Sequence, residues 1–465
     1  MKKNIALLVG VITFVLLFYK KEPGINVGIF SLLVWGCVFI VSNHRKRTLV
    51  FWGLSAAVWG TALGFAWYGD FPSFIALFFS LTLFIVKTFY PKLNILFYPF
   101  VLIISGASSF IRVFFFKYWL PVSNKLKTDF VKKTLAYFIV PLFFVLIFLL
   151  LYSRASYRFA SFLKFDWNIN NLLIVFGLTL LGMFFMFNFL HVYIPRFLSK
   201  ENFRLQENYV VGNGSLSVMN SKNNKKFIRQ SGEITLVLLN LILVFFIIVY
   251  ATESFKDVVP TVSYSSEVHE RVYVLISSIV IAVAIIMIYF QSVSNFNRVG
   301  YVLRVLSYIW IGLNVCLVAI AIFKNMEYIA FYGLTFKRIG VFIFLLLSLV
   351  GLAITLLKLL LVKTNIFLLN RMAWVFFITL IVGVNINWSW VVTKYNITYQ
   401  SKPDFSYLAS LDYNKEILVN AYPDSIDKES FVMEVNRRIK SEKLRPYLSR
   451  TLYYECLKIN EHEKR

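Results

Sequence analysis

Apolar runs of about 16–22 residues, separated by short polar and basic stretches, recur along the chain as far as residue 391. Their approximate limits are 4–19, 25–42, 49–67, 74–90, 95–115, 134–153, 170–190, 234–252, 272–290, 305–323, 340–361 and 372–391. A helix rising 1.5 Å per residue crosses roughly 30 Å of hydrocarbon in such a length. The runs are continuous rather than alternating, and in lipid every backbone polar group must be satisfied within the segment, so helices are expected and a barrel is not. The pattern predicts an all-α polytopic transmembrane bundle of 11–13 spans. The first run, Asn4 to Tyr19, is followed by Lys20-Lys21-Glu22-Pro23-Gly24 and lacks a small-residue cleavage site, so it reads as a retained helix rather than a secretory signal.

Composition supports lipid as the solvent. Of 465 residues, 59% are hydrophobic, 15% are charged, 49 are Phe, and mean hydropathy is +0.70. A soluble domain could not cover that much apolar surface. The net charge of +25 is unevenly placed: residues 1–391 hold 12 acids against 35 Lys and Arg, residues 392–465 hold 11 against 13. The excess sits in short loops between spans and not on one soluble face, which argues against nucleic acid and for contact with anionic lipid headgroups.

Basic loops orient the spans. Loop 191–233 carries seven Lys/Arg and three Glu and is expected on the cytoplasmic side; loop 253–271, with four acids and two bases, is expected outside. Counting onward places the tail outside. Counting backward places 116–133 inside but leaves the His44-Arg45-Lys46-Arg47 loop outside, against the rule. One apolar run between about 68 and 115 is therefore expected to be re-entrant or divided differently.

Two regions follow: a transmembrane domain over 1–391 and an extracytoplasmic helical tail over 392–465. Within the first, loop 191–233 contains Gly212-Asn213-Gly214-Ser215 and Asn220-Ser221-Lys222, turn-forming residues that predict a flexible cationic loop. Residues 154–169 mix Tyr157, Phe162 and Trp167 with Arg154, Arg158 and Lys164, as suits a helix lying in the outer interface. In the tail, Asp424-Ser425 can cap a helix running to Ile439, and a second helical stretch runs from Tyr447 to Leu457.

Motifs for chemistry are scarce. Cys37, Cys316 and Cys456 have no metal-ligand spacing, and the four histidines are His44, His191, His269 and His462. No cofactor or metal is implied, and no acid lies at membrane depth. Lys87, Arg112 and Lys358 near helix ends read as snorkelling cations, and Asn188, Asn240, Asn314, Asn385 and Asn387 as hydrogen bonders between helices. Two outer stretches are more specific, Tyr264 to Tyr273 and Tyr332 to Gly340. They nominate Glu267, His269, Tyr332, Thr335, Lys337 and Arg338 as candidate functional residues. Glu267 and His269 suit an acid/base or pH-sensitive pair, although acids at a helix N-terminus also simply complement the dipole.

These blocks carry a resemblance. Tyr332-Gly333-Leu334-Thr335-Phe336-Lys337-Arg338, the Tyr264–Tyr273 stretch, and Asn387-Trp388 followed by Tyr395-Asn396-Ile397 resemble the bacterial membrane family called domain of unknown function 4173, a relative of 4153. The resemblance implies a many-helix inner-membrane protein with an outer tail, and no activity. Three functional readings are compatible: an accessory or structural envelope protein with a protein partner at the tail, a transporter or lipid translocator, and a membrane enzyme acting on lipid-linked substrate at the outer face.

Overall fold

A computed structural model describes residues 2–42, 47–113, 169–209, 222–254, 264–291, 293–421 and 426–457, with isolated positions between 137 and 152. The described chain is all-helical. Its first helices are α1 (Lys2–Phe18), α2 (Ile25–Val41), α3 (Leu49–Tyr68), α4 (Phe71–Phe89), α5 (Tyr98–Arg112) and α6 (Ile169–Leu190). After a short α7 (Arg196–Arg204) come α8 (Lys222–Ser254), α9 (Tyr264–Tyr289), α10 (Tyr301–Tyr332), α11 (Phe336–Leu360) and α12 (Asn365–Asn385). The tail forms α13 (Trp388–Tyr399), α14 (Phe405–Ser410), α15 (Lys415–Ala421), α16 (Ile426–Leu444) and α17 (Leu452–Cys456).

Eight described helices are long and apolar enough to cross a membrane, and Ile25–Val41 and Val274–Tyr289 are shorter apolar helices. They match the apolar runs closely, but α8 begins at Lys222 and α10 extends to Tyr332, well beyond the hydrophobic windows. The run 134–153, apart from isolated positions, and nearly all of the 154–169 segment lie outside the described residues. The stretch 191–233 is not all loop: α7 and the first turns of α8 are helical, while 210–221 lie outside the described residues.

The helices fall into two compact units. The first comprises Met1–Leu93, Phe97–Ser199 and Arg438–Leu457. Here α1 packs on α6, α2 on α3, and α3 on α4. Phe14 of α1 meets Phe30 of α2 at 5.1 Å and Phe185 of α6 at 6.0 Å. A two-residue turn joins α3 to α4: Gly69 takes a left-handed conformation with φ +66, and the Asp70 carboxylate caps α4 by accepting from the Ser73 amide at 3.0 Å. The directions alternate. Cys37 near the end of α2 lies 3.8 Å from the Ala6 carbonyl near the start of α1, Phe51 at the start of α3 meets Phe84 near the end of α4, and the Lys3 ammonium stands 4.9 Å over the Phe89 ring. Tyr90 donates to the Val192 carbonyl just past α6 at 3.1 Å. The opposite face holds Glu22, Gly24 and Gly69, and there the last described residues dock. The Glu22 amide donates to Ser449 Oγ at 2.9 Å, the Ile25 amide to the Arg450 carbonyl at 3.2 Å, and Arg445 pairs with Glu22.

The second unit, Asn94–Leu96 and Lys200–Arg437, packs α8, α9 and α11 on α10, with α12 on α11. Its core runs through Leu236, Ile279, Leu303, Val318, Leu345 and Leu352. Outward side chains are equally apolar: on α8, Ile234, Leu241, Ile242 and Phe245 are more than half exposed. A helix hydrophobic on both faces is suited to hydrocarbon on one side and protein on the other.

Candidate functional site

The Tyr332–Arg338 block is the turn between α10 and α11. Helix α10 ends because Gly333 takes φ +80 with ψ 176, a region open essentially to glycine. Thr335 then caps α11, its hydroxyl accepting from the Arg338 amide at 3.4 Å. The Asn396 side chain from α13 clamps the turn by accepting from the Leu334 amide at 2.6 Å and donating to the Leu334 carbonyl at 2.8 Å. Gln400 Nε2, one turn on, donates to the Ala330 carbonyl at 2.9 Å, and the Phe336 amide donates to Tyr407 Oη at 3.1 Å.

Arg338 is buried in the same turn. Its Nη1 donates to the Tyr332 carbonyl at 2.9 Å and to the Gly333 carbonyl, and the guanidinium lies 4.3 Å over the Tyr328 ring. Those carbonyls are the unpaired end of α10, where a helix dipole favours a cation. Tyr332 and Lys337 are exposed, and Thr335 is committed to its cap. Glu267 and His269 lie on the first turns of α9, and their side chains lie outside the described ones. The block and the Tyr395-Asn396-Ile397 motif are thus brought together by the fold. Asn387, the third motif residue, caps α13 by accepting from the Trp390 amide at 3.0 Å and donates to the Tyr413 carbonyl at 2.9 Å. Asp404 caps α14 in the same cluster; hydrogen bonds from Ser406 and the Tyr407 amide hold its carboxyl below the usual range.

A second polar cluster lies in the first unit. Helix α5 turns Phe100, Ile103, Phe110 and Ile111 outward and Ser105, Ser109 and Arg112 inward. Arg112 is only 8% exposed; it donates to Ser108 Oγ at 3.0 Å, the Ser105 carbonyl at 2.9 Å and the His191 carbonyl at 2.8 Å. Ser105 donates to Asn188 Oδ1 on α6 at 2.9 Å and accepts from the Tyr193 amide at 3.1 Å. Thr82, Val101, Ser105 and Asn188 line a cavity of about 20 Å³, room for roughly one water. His191, just past α6, stacks on Phe187 at 4.8 Å. Burial, and then the nearby Lys3 ammonium, pull its pKa down to about 4.

The snorkelling expected of Arg112 and Lys358 is not observed. Lys358 is fully buried and donates to Asn365 Oδ1, whose Nδ2 donates to the Met287 carbonyl at 2.9 Å. Both cations have carbonyl or amide acceptors within reach inside the protein, which removes the reason to extend toward water. Asn188 and Asn240 bond between helices as expected, Asn240 to the Leu306 carbonyl at 3.1 Å; Asn314 and Asn385 instead donate back within their own helices. Serines at 105, 108 and 109 are the one signal of the inward polar face of α5, and nothing in their spacing indicates which helix receives it.

Described residues that are all-helical and include eight helices of membrane-crossing length, apolar on their outward faces, define a polytopic membrane protein. The family model described as domain of unknown function (DUF4153) matches residues 28–417, and the chain belongs to that family. The matching label is therefore 4153 and not the 4173 suggested by the motif blocks. No curated protein and no solved structure matches the chain.

Proposed function

We propose that the protein is an accessory or structural component of a bacterial inner membrane, holding an extracytoplasmic tail in a fixed place for an envelope protein partner. The observation that supports this reading is how the motif residues are used. Asn396 and Gln400 bond to the backbone at Leu334 and Ala330 and so fasten the tail helix α13 to the α10–α11 turn, which Arg338 braces from within, while Asn387 ties the start of α13 to Tyr413 of the tail. A rigidly mounted tail presenting Tyr399, Met433 and Leu444, each more than two-thirds exposed, suits a binding platform.

The test is site-specific photo-crosslinking in native membranes, with a photo-reactive residue at Met433 or Leu444 of the full-length chain. A discrete adduct with a second protein at either position supports the reading. Adducts with lipid alone at both positions, in a chain that still accumulates, would remove it.

A further inference from the structure

We infer that the chain crosses its membrane eleven times, with the start of α1, Arg47 and Thr48 before α3 and the 191–209 stretch on the cytoplasmic side, the tail on the opposite side, and α5 returning to the side it started from. Four contacts set the first unit. Lys3 over Phe89, Cys37 beside Ala6, Phe51 against Phe84, and Tyr90 on Val192 gather the start of α1, the end of α2, the start of α3, the end of α4 and the end of α6 at one face. Glu22, Gly24 and Gly69 lie at the other, with Ser449 to Thr451.

Within the second unit, its own contacts set which helix ends lie together. The beginning of the apolar part of α8, the end of α9 and the start of α10 meet where Thr235 bonds Tyr289 at 3.1 Å and Gly232 abuts Leu303. The start of α12 joins them, since Thr364 donates to the Gln206 carbonyl at 2.7 Å and Asn365 to Met287. The turn at Gly333, Asn396 near the end of α13 and Tyr407 hold the far end. Residues 191–209 and 400–445 contain no run long enough to cross, so each joins like face to like face.

Parity then decides the middle of the chain. Tyr90 is at the face where α6 ends, and α6 starts at the other, so an odd number of crossings separates Tyr90 from Ile169. Two apolar runs, 95–115 and 134–153, are available for them. Helix α5 is the one that does not cross, because its midpoint and its last residue are both tied to the end of α6: Ser105 to the Tyr193 amide, Arg112 to the His191 carbonyl. The inconsistency of the basic stretch between α2 and α3 disappears. Charge fixes the sign: the acids of residues 1–113 are Glu22 and Asp70, both at the tail's face with Lys20 and Lys21, whereas Lys2, Lys3, Arg47 and Lys92 are at the other without an acid, and Arg45 and Lys46 adjoin Arg47 in sequence.

The native Cys456 is exposed and serves as the probe in a Cys37→Ala, Cys316→Ala background of the full chain, with single cysteines at Lys92, Lys125 or Lys200 placed in a further Cys456→Ala variant. Cells expressing each are treated with a membrane-impermeant maleimide before and after the membrane is opened or dissolved. Expected is labelling of Cys456 in intact cells and of the other three only after opening. Labelling of Lys92→Cys or Lys200→Cys in intact cells, or protection of Cys456, overturns the orientation. Labelling of Lys125→Cys in intact cells overturns the assignment of α5 while leaving the rest to the other probes.

Discussion

Replacing Gly333 by alanine tests the reading of the α10–α11 turn at its narrowest point. A Cβ there would stand 2.5 Å from Asn396 Oδ1, and the backbone at φ +80 is itself strained for any other residue. The conformation alone costs about 1–3 kcal/mol. Displacing Asn396 loses its two bonds to Leu334, each worth about 1 kcal/mol net and more if the buried amide and carbonyl find no substitute. Gly333→Ala should therefore destabilise by about 2–5 kcal/mol, read as a lower melting temperature of the purified protein in a mild detergent. The informative comparison is with Asn396→Ala. Removing that side chain relieves the clash, so Gly333→Ala should cost only its conformational share, about 1–3 kcal/mol, in the Asn396→Ala background. Strict additivity of the two substitutions, or a Gly333→Ala protein as stable as the parent, would refute the clamp.

Arg338→Lys keeps the charge but loses the planar contact with Tyr328 and one of two carbonyl bonds, and should lower stability by about 1–3 kcal/mol in the same melting assay. Gly24→Ala brings a Cβ within 2.5 Å of the Ser449 backbone, so it should loosen residues 445–457 and make them susceptible to added protease while the transmembrane helices persist. Ser449→Ala, which removes only the bond from the Glu22 amide, should act in the same direction with a cost of about 1 kcal/mol. For His191, the folded pKa of about 4 lies below the usual 6.5 of an unfolded histidine. Between those values the unfolded chain binds more protons, so the stability linked to this group is complete above about pH 6.5 and is lost as pH falls toward 4. The fall in melting temperature from pH 7 to pH 5 should be shallower in His191→Gln than in the parent; equal slopes would contradict the burial.

The helices were legible because lipid imposes its own length and leaves little choice about hydrogen bonding, so the runs at 25–42, 49–67 and 170–190 became α2, α3 and α6 with ends shifted by a residue or so. Helix ends in water were less legible. Polar first turns such as Lys222 to Gln230 extend α8 far beyond its apolar window without any periodic signal. The candidate residues show the same division. Sequence singled out Arg338 as unusual on an outer loop, but its partners are the Tyr332 and Gly333 carbonyls and the Tyr328 ring, created only when the chain reverses. Nor does the spacing between Leu334 and Asn396, 62 residues apart, announce that the two will bond. Lys358 was misread because its acceptor, Asn365, lies across a turn whose geometry composition cannot supply.

The docking of residues 445–457 on the turns at Gly24 and Gly69 sets an order on biogenesis. Helices α1 to α4 leave the ribosome first, yet the amides of Glu22 and Ile25 wait for Ser449 and Arg450, which are made more than four hundred residues later. Until residues 445–457 have been made, that face of the first unit lacks these partners, and a chain that stalls before them leaves the bundle unclosed. Closure of the earliest helices waits on the docking segment, however the rest of the chain has folded by then.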